Sequence, residues 1–254
     1  MSTQVKKEQI HEAVAQVYGA VARNVGTAEK PSCCGVELAP SLDYSVEELA
    51  SVPSGAHLGE GSGCPVRHAD LSPGEVVIDL GAGAGIDSFL AANRVGPTGR
   101  VYGFDLTPDM VERARHNATE GGYTNIRFQQ SKIESLPLEA GSADAAISNC
   151  VINLAPDKSV VYGEMFRVLR PGGRMSVADI VLRGDEAAMA ALRQRTDLGQ
   201  WCACVLGALR EQEYLETIRA AGFVDVKLVA ERPAMSQPGG EVEAVAVTIT
   251  ARKP

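Results

Sequence analysis

The run Val77-Ile78-Asp79-Leu80-Gly81-Ala82-Gly83-Ala84-Gly85 ends an apolar, strand-like segment on three glycines spaced Gly-x-Gly-x-Gly. Glycines at the carboxyl end of a strand let backbone approach a ligand closely, which is where doubly wound sheets hold their cofactors. A dinucleotide fingerprint spaces its glycines G-x-G-x-x-G so that a pyrophosphate lies on a helix terminus. Here the third glycine falls one residue early, and Asp79 stands two before the first. A carboxylate at that point suits the positively charged amino-acid end of a sulfonium cofactor better than a pyrophosphate. Asp105 ends the next strand-like segment, Arg100-Val-Tyr-Gly-Phe-Asp-Leu106, and a carboxylate there can accept hydrogen bonds from two ribose hydroxyls. The expected cofactor is therefore S-adenosylmethionine.

The second set of reactive residues is the six cysteines, at 33, 34, 64, 150, 202 and 204. Cys150 lies in Asn149-Cys150-Val151-Ile152-Asn153-Leu154, at the end of a strand-like stretch and at the same sheet edge as the glycine loop and Asp105. A thiol there either packs as a small hydrophobe or faces the acceptor pocket. Cys202 and Cys204 follow Trp201; on a helix, neighbours two apart diverge, so one faces the pocket and the other points away. Cys33-Cys34 and Cys64 sit in glycine-bearing loops that can reach the same opening. Thiolates prefer soft acceptors. Zinc is a rival, but no compact C-x2-C pair has a matching second pair. Trivalent arsenic bonds two or three thiolates in a pyramid and keeps a lone pair for a sulfonium methyl. His57, His68 and His116 read as surface or packing residues, leaving no convincing general base for an oxygen or nitrogen acceptor.

The elements that must position these groups alternate along the chain. Strand-like segments at 76–80, 100–106, 126–130, 143–150 and 173–182 are separated by helical runs at about 86–95, 107–120 and 157–170. Such alternation predicts an α/β fold with a largely parallel sheet covered on both faces. Thr107-Pro108 starts a helix, and Pro171-Gly172 is expected to stop one. Ahead of the sheet, apolar residues at helical spacing predict an amphipathic helix from about Lys6 to Val25, and Ser45-Val-Glu-Glu48 has the form of a capping box. Beyond 184 the chain reads as mostly helical to 221, then as two strands, Asp225–Glu231 and Val242–Ala251, which complete the sheet with an antiparallel edge. The expected division is 1–70 for the helix and cysteine loops, 71–183 for the cofactor core and 184–254 for the C-terminal additions.

Composition sets the outer limits. The chain has 254 residues, 45% hydrophobic and 22% charged, with a net charge of -8, which speaks against a phosphate-backbone partner. No apolar stretch has membrane-spanning length, and the charged first residues lack the apolar block of a signal peptide. These features predict a cytoplasmic protein without nucleic-acid or membrane partners, whose cysteines remain thiols. The absence of an obvious exposed apolar helix favours a monomer.

The glycine and aspartate constellation resembles the class I S-adenosylmethionine-dependent methyltransferases, a Rossmann-like fold with a seven-stranded sheet. That resemblance implies that Gly81, Ala82, Gly83 and Gly85 wrap the methionine portion, that Asp105 and Leu106 hold the ribose, that Ile133 and Glu134 contact adenine, and that Asp79 and Asn149 complete the site. A more specific similarity lies in Asn149-Cys-Val-Ile-Asn-Leu-Ala-Pro-Asp-Lys158, Cys204-Val-Leu-Gly-Ala-Leu209, the segment 43–59 and the Cys33-Cys34 pair. Together these resemble the arsenite methyltransferase family over about residues 15–230. The resemblance implies methyl transfer to thiol-bound trivalent arsenic, arsenite or methylarsenite, with glutathione or thioredoxin as reductant. By position, Cys150 and Cys204 match the arsenic ligands, and Cys33 and Cys34 match a pair that captures substrate. Family members commonly carry Gly-Cys-Gly-Asn-Pro where this chain has Gly61-Ser62-Gly63-Cys64-Pro65. Ser62 occupies the usual cysteine position; Cys64 either moves in as a third ligand or is incidental. The alternative to arsenic is a small organic metabolite as acceptor.

Overall fold

The computed structural model describes residues 7–24, 44–185, 187–189, 207–236 and 242–254. Helix α1 (Lys7–Arg23) realises the amphipathic spacing read from the sequence and buries Ile10, Val14 and Val21. Short helix α2 (Val46–Ala50) begins with the expected capping box: Ser45 Oγ accepts from Glu48 N–H, and the Glu48 carboxylate accepts from Ser45 N–H. Two orphan donors of the first turn are thereby satisfied reciprocally. Helix α3 (Pro65–His68) follows the glycine-rich loop.

The core then alternates β1 (Val76–Leu80), α4 (Ile86–Val95), β2 (Arg100–Asp105), α5 (Pro108–Glu120), β3 (Ile126–Gln130), β4 (Ala143–Asn149), α6 (Lys158–Val168) and β5 (Leu169–Gly184). Helix α7 (Glu211–Ala220) leads into β6 (Val224–Ser236) and β7 (Val242–Arg252). The seven strands form one sheet in the order β3-β2-β1-β4-β5-β7-β6. Strands β1 to β5 pair in parallel, while β7 runs antiparallel to both β5 and β6. The expected antiparallel component is thus β7, inserted between β5 and the edge strand β6.

Side-chain alternation divides the core between the two sheet faces. Val77, Ala145 and Ile147 pack with Phe89, Val111 and Ala114 of α4 and α5 and with Val66 of α3. Ile78, Leu80 and Ala146 pack on the other face with Tyr162 and Met165 of α6 and Tyr214 and Ile218 of α7. Both faces being covered, β1 reads as a continuous apolar run interrupted by Asp79. Helix α1 lies outside this sandwich. It is fastened to α5 by Arg23 Nη1–Asp109 Oδ2 at 2.7 Å and by Arg113 Nε donating to Ala22 O at 2.9 Å.

One boundary differs from expectation. Helix α6 ends at Val168, and β5 runs through Pro171-Gly172 rather than starting beyond it. Distant pairing accounts for this: Leu169 pairs with Ala143 of β4, Gly172 N–H donates to Lys253 O at 3.0 Å and Lys253 N–H to Gly173 O at 2.8 Å. Among the described residues no helix is long and apolar enough to cross a membrane.

Candidate active site

The carboxyl ends of β1, β2 and β4 open into one cavity of about 1090 Å3, its mouth included. Its floor is the turn after β1. Gly81 and Gly83 have φ of +73° and +54°, a left-handed conformation that glycine adopts without a Cβ penalty. A Cβ on Gly81 would lie 2.5 Å from the Val151 side chain, so the absent side chain is what lets the β1 turn and the turn after β4 touch. A Cβ on Gly83 would meet nothing within 4 Å and would project into the cavity that Gly83 borders.

Asp105 ties this turn to β2. Its Oδ2 accepts from Gly83 N–H at 2.9 Å and its Oδ1 from Thr107 N–H at 2.8 Å. Burial raises its carboxyl above the usual carboxylate value, and these two N–H donors oppose that rise. Leu106 and Thr107 continue the wall, and Thr107 precedes α5 with Pro108 in the first turn, although its side chain makes no capping bond. Ile133 and Glu134 also border the cavity. Glu134 Oε1 is 2.8 Å from His11 Nε2, and α1 contributes His11, Val14 and Tyr18 to the cavity wall.

Cys150 follows the last residue of β4 and borders the cavity, half-buried. Its φ is +58°, uncommon for a residue with a side chain. The turn is held in that conformation from behind. Cys150 N–H donates to Ala178 O at 2.8 Å, Asn153 N–H to Asp179 Oδ2 at 3.0 Å, and Asn153 Nδ2 to Ile180 O at 2.6 Å. Asp179 also accepts from Tyr214 OH at 3.0 Å. Its burial pushes the carboxyl up to about 6.

Most of the expected cofactor residues converge: Gly81, Ala82, Gly83, Asp105, Leu106, Ile133, Glu134 and Asn149 all border the cavity together with Cys150. Three expected residues do not. Asp79 is 1% exposed, points to the α4 face and accepts from Ser88 Oγ at 2.6 Å. Gly85 sits behind the turn at the start of α4, where a Cβ would strike Phe89 and Phe128. Cys64 is 3% exposed at the start of α3, with Sγ 3.9 Å from Glu48 Oε1; burial there pushes its thiol up to about 12. A protonated, enclosed thiol facing Glu48 is not a ligand poised at the cavity. Cys33, Cys34, Cys202 and Cys204 lie outside the described residues. Among the described residues no three of His, Cys, Asp and Glu converge to hold a metal ion.

Sequence reasoning missed His11, Asp87 and Tyr44. Asp87 borders the cavity two residues beyond the last glycine, at 3% exposure. Its Oδ2 accepts from Tyr44 OH at 2.9 Å and from Asn149 Nδ2 at 3.0 Å. Asn149 in turn accepts from Ser62 N–H at 2.7 Å and donates to Gly63 O at 2.7 Å, locking the glycine-rich loop to the end of β4. An acidic residue in the first turn after a glycine loop was a visible signal for Asp87; nothing local marked His11.

A methyltransferase-domain family model matches residues 71–222. An arsenite methyltransferase of Halobacterium salinarum is 39% identical over 234 residues, covering 87% of this chain and 59% of that protein. One from Aquipseudomonas alcaligenes is 34% identical over 232 residues, covering 88% and 65%. The chain thus spans about three-fifths of the length of these curated relatives. The crystal structure of an arsenic(III) S-adenosylmethionine methyltransferase from Chlamydomonas reinhardtii superposes with a TM-score of 0.63 at 31% identity, covering 84% of this chain and 73% of that one. The chain belongs to the class I S-adenosylmethionine-dependent methyltransferases, in the group related to arsenite methyltransferases.

Proposed function

We propose that the chain transfers a methyl group from S-adenosylmethionine to trivalent arsenic held by Cys150, with Cys204 as second ligand on the strength of the family resemblance. The observation that carries this is the placement of a cysteine, in a conformation its side chain disfavours, on the same cavity as the glycine turn and Asp105. The residues present fit the cofactor. Gly83 leaves open the space a Cβ would fill, Asp105 ends β2 on the cavity wall, and Ile133 and Glu134 line the same cavity. Asp105 would hold the ribose, Gly81 and Gly83 the methionine backbone, and the segment 132–134 the adenine. When bound, the cofactor supplies an electrophilic sulfonium methyl that a lone pair takes in line, leaving a neutral thioether.

The chain's own work is then to deliver and align the acceptor. The Cys150 thiolate displaces hydroxide or a small thiol from arsenic and keeps the arsenic lone pair available. Val14, Tyr18 and Leu154 line the cavity beside it and exclude water. Alignment of this kind needs no proton transfer to the leaving group. With Ser62 at the usual cysteine position and Cys64 enclosed beside Glu48, methylarsenite is the better substrate than inorganic arsenite, because one arsenic valence is already carbon. Placing the methyl on the arsenic lone pair takes arsenic to the pentavalent level, and glutathione or thioredoxin supplies the two electrons that return it to the trivalent state, which calls for a reducing compartment such as the cytoplasm.

The test is methyl transfer from labelled S-adenosylmethionine to arsenite and to methylarsenite, separately, with excess glutathione and mass-resolved products. Product is expected, with methylarsenite favoured, and Cys150→Ser should abolish it while S-adenosylhomocysteine still binds. Cofactor binding with no product from either arsenical would leave an organic acceptor as the reading to pursue.

A further inference from the structure

We propose that Asp87, and not Asp79, is the carboxylate that binds the ammonium of the cofactor's amino-acid end; this rests on the cofactor reading above. The glycine motif points to Asp79, but that side chain is enclosed against α4 with Ser88 and does not border the cavity. Asp87 does border it, eight residues further on. Its two bonds come from the neutral groups Tyr44 OH and Asn149 Nδ2, and both go to Oδ2. Oδ1 is buried and receives no hydrogen bond. A carboxylate oxygen removed from water without a donor is a costly arrangement unless a ligand completes it. The completing group must bring donors and positive charge, which an ammonium does.

The location suits the amino-acid end of the cofactor. Asp87 lies in the first turn of α4, directly after Gly81–Gly85, and contacts Asn149, which adjoins Cys150. Asp105 and Glu134, assigned to ribose and adenine, belong to other elements of the cavity wall. The surroundings of the two aspartates differ in the same sense. Burial raises both carboxyls above the usual carboxylate range; at Asp79 the neighbouring Asp87 adds to that rise, whereas at Asp87 the bonds from Asn149 and Tyr44 oppose it. Through Asn149, which accepts from Ser62 and donates to Gly63, the same ammonium site is joined to the loop facing the acceptor.

Calorimetric titration of the full chain with S-adenosylhomocysteine and with 5′-methylthioadenosine, which lacks the amino-acid end, tests this. Asp87→Asn should weaken S-adenosylhomocysteine at least tenfold and leave 5′-methylthioadenosine within twofold; Asp79→Asn should not discriminate between them. If Asp87→Asn melts early and binds neither, Asp87→Glu, which keeps the charge but moves it by one methylene, should show the same selective loss. Equal losses for both ligands in both Asp87 variants, an unchanged S-adenosylhomocysteine affinity, or a selective loss in Asp79→Asn overturns the assignment. Failure of the unmodified protein to bind either ligand would instead overturn the cofactor reading.

Discussion

Replacing Gly81 by alanine should cost more than replacing Gly83, though both sit in the same turn at positive φ. Each alanine incurs the left-handed penalty of about 1–2 kcal/mol. At Gly83 nothing lies within 4 Å of the new Cβ, so the cost ends there. At Gly81 the new Cβ would stand 2.5 Å from Val151 Cβ and Cγ2 and 2.6 Å from Cγ1, which Val151 must vacate. Overpacking of this kind adds about 1–3 kcal/mol, giving roughly 2–5 kcal/mol for Gly81→Ala against about 1–2 for Gly83→Ala. Urea unfolding of both variants, with Val151→Gly alone and combined with Gly81→Ala, closes a double-mutant cycle. The cycle should return the overpacking part, about 1–3 kcal/mol, as coupling. Because Val151 adjoins Cys150, Gly81→Ala should also lose arsenic methylation, while Gly83→Ala, whose Cβ projects into the cavity, should chiefly lose cofactor affinity. Equal destabilisation by the two alanines, or no coupling to Val151, would refute the claim that Gly81 exists to let the two turns touch.

Ser62→Cys should raise turnover of inorganic arsenite relative to methylarsenite, read from mass-resolved products; an unchanged ratio would show that this position does not reach arsenic. Brief iodoacetamide labelling near pH 7 with peptide mapping should modify Cys150 well before Cys64, which burial keeps protonated, and early labelling of Cys64 would contradict its enclosure. Asp179 titrates near 6 in the fold and near 4 when unfolded, so the folded protein holds more protons between those values and loses stability as pH rises from about 4 to about 6. In Asp179→Asn that contribution to the slope should vanish, leaving a pH-independent offset from the lost bonds; urea midpoints at pH 4, 5, 6 and 7 give the comparison.

The parts of the fold legible in the sequence are those set by neighbouring residues. The capping box at Ser45, the apolar run of β1 and the glycine turn each depend on positions within about one turn of one another, and each stands where its pattern placed it. What escaped depends on distant partners. His11 meets Glu134 across 123 positions and Asp87 meets Asn149 across 62. The start of β5 at Leu169 is set by pairing with Ala143 of β4, and Gly172 and Gly173 bond to Lys253, so Pro171-Gly172 punctuates the helix later than the helix actually stops. Cys64 illustrates the converse error. A two-residue displacement looks harmless in a glycine-rich loop, but Cys64 is the residue on which α3 begins, and Ser176 Oγ donates to Pro65 O at 2.8 Å to pin that helix to β5.

The backbone at Cys150 carries an evolutionary implication. A residue at φ +58° that bears a side chain gives up about 1–2 kcal/mol that glycine would recover. Drift toward glycine is therefore downhill in folding free energy, and selection for a sturdy molecule alone would erase the sulfur. On the proposed role of Cys150 as arsenic ligand, keeping it trades stability for reactivity at the spot where three strand ends meet.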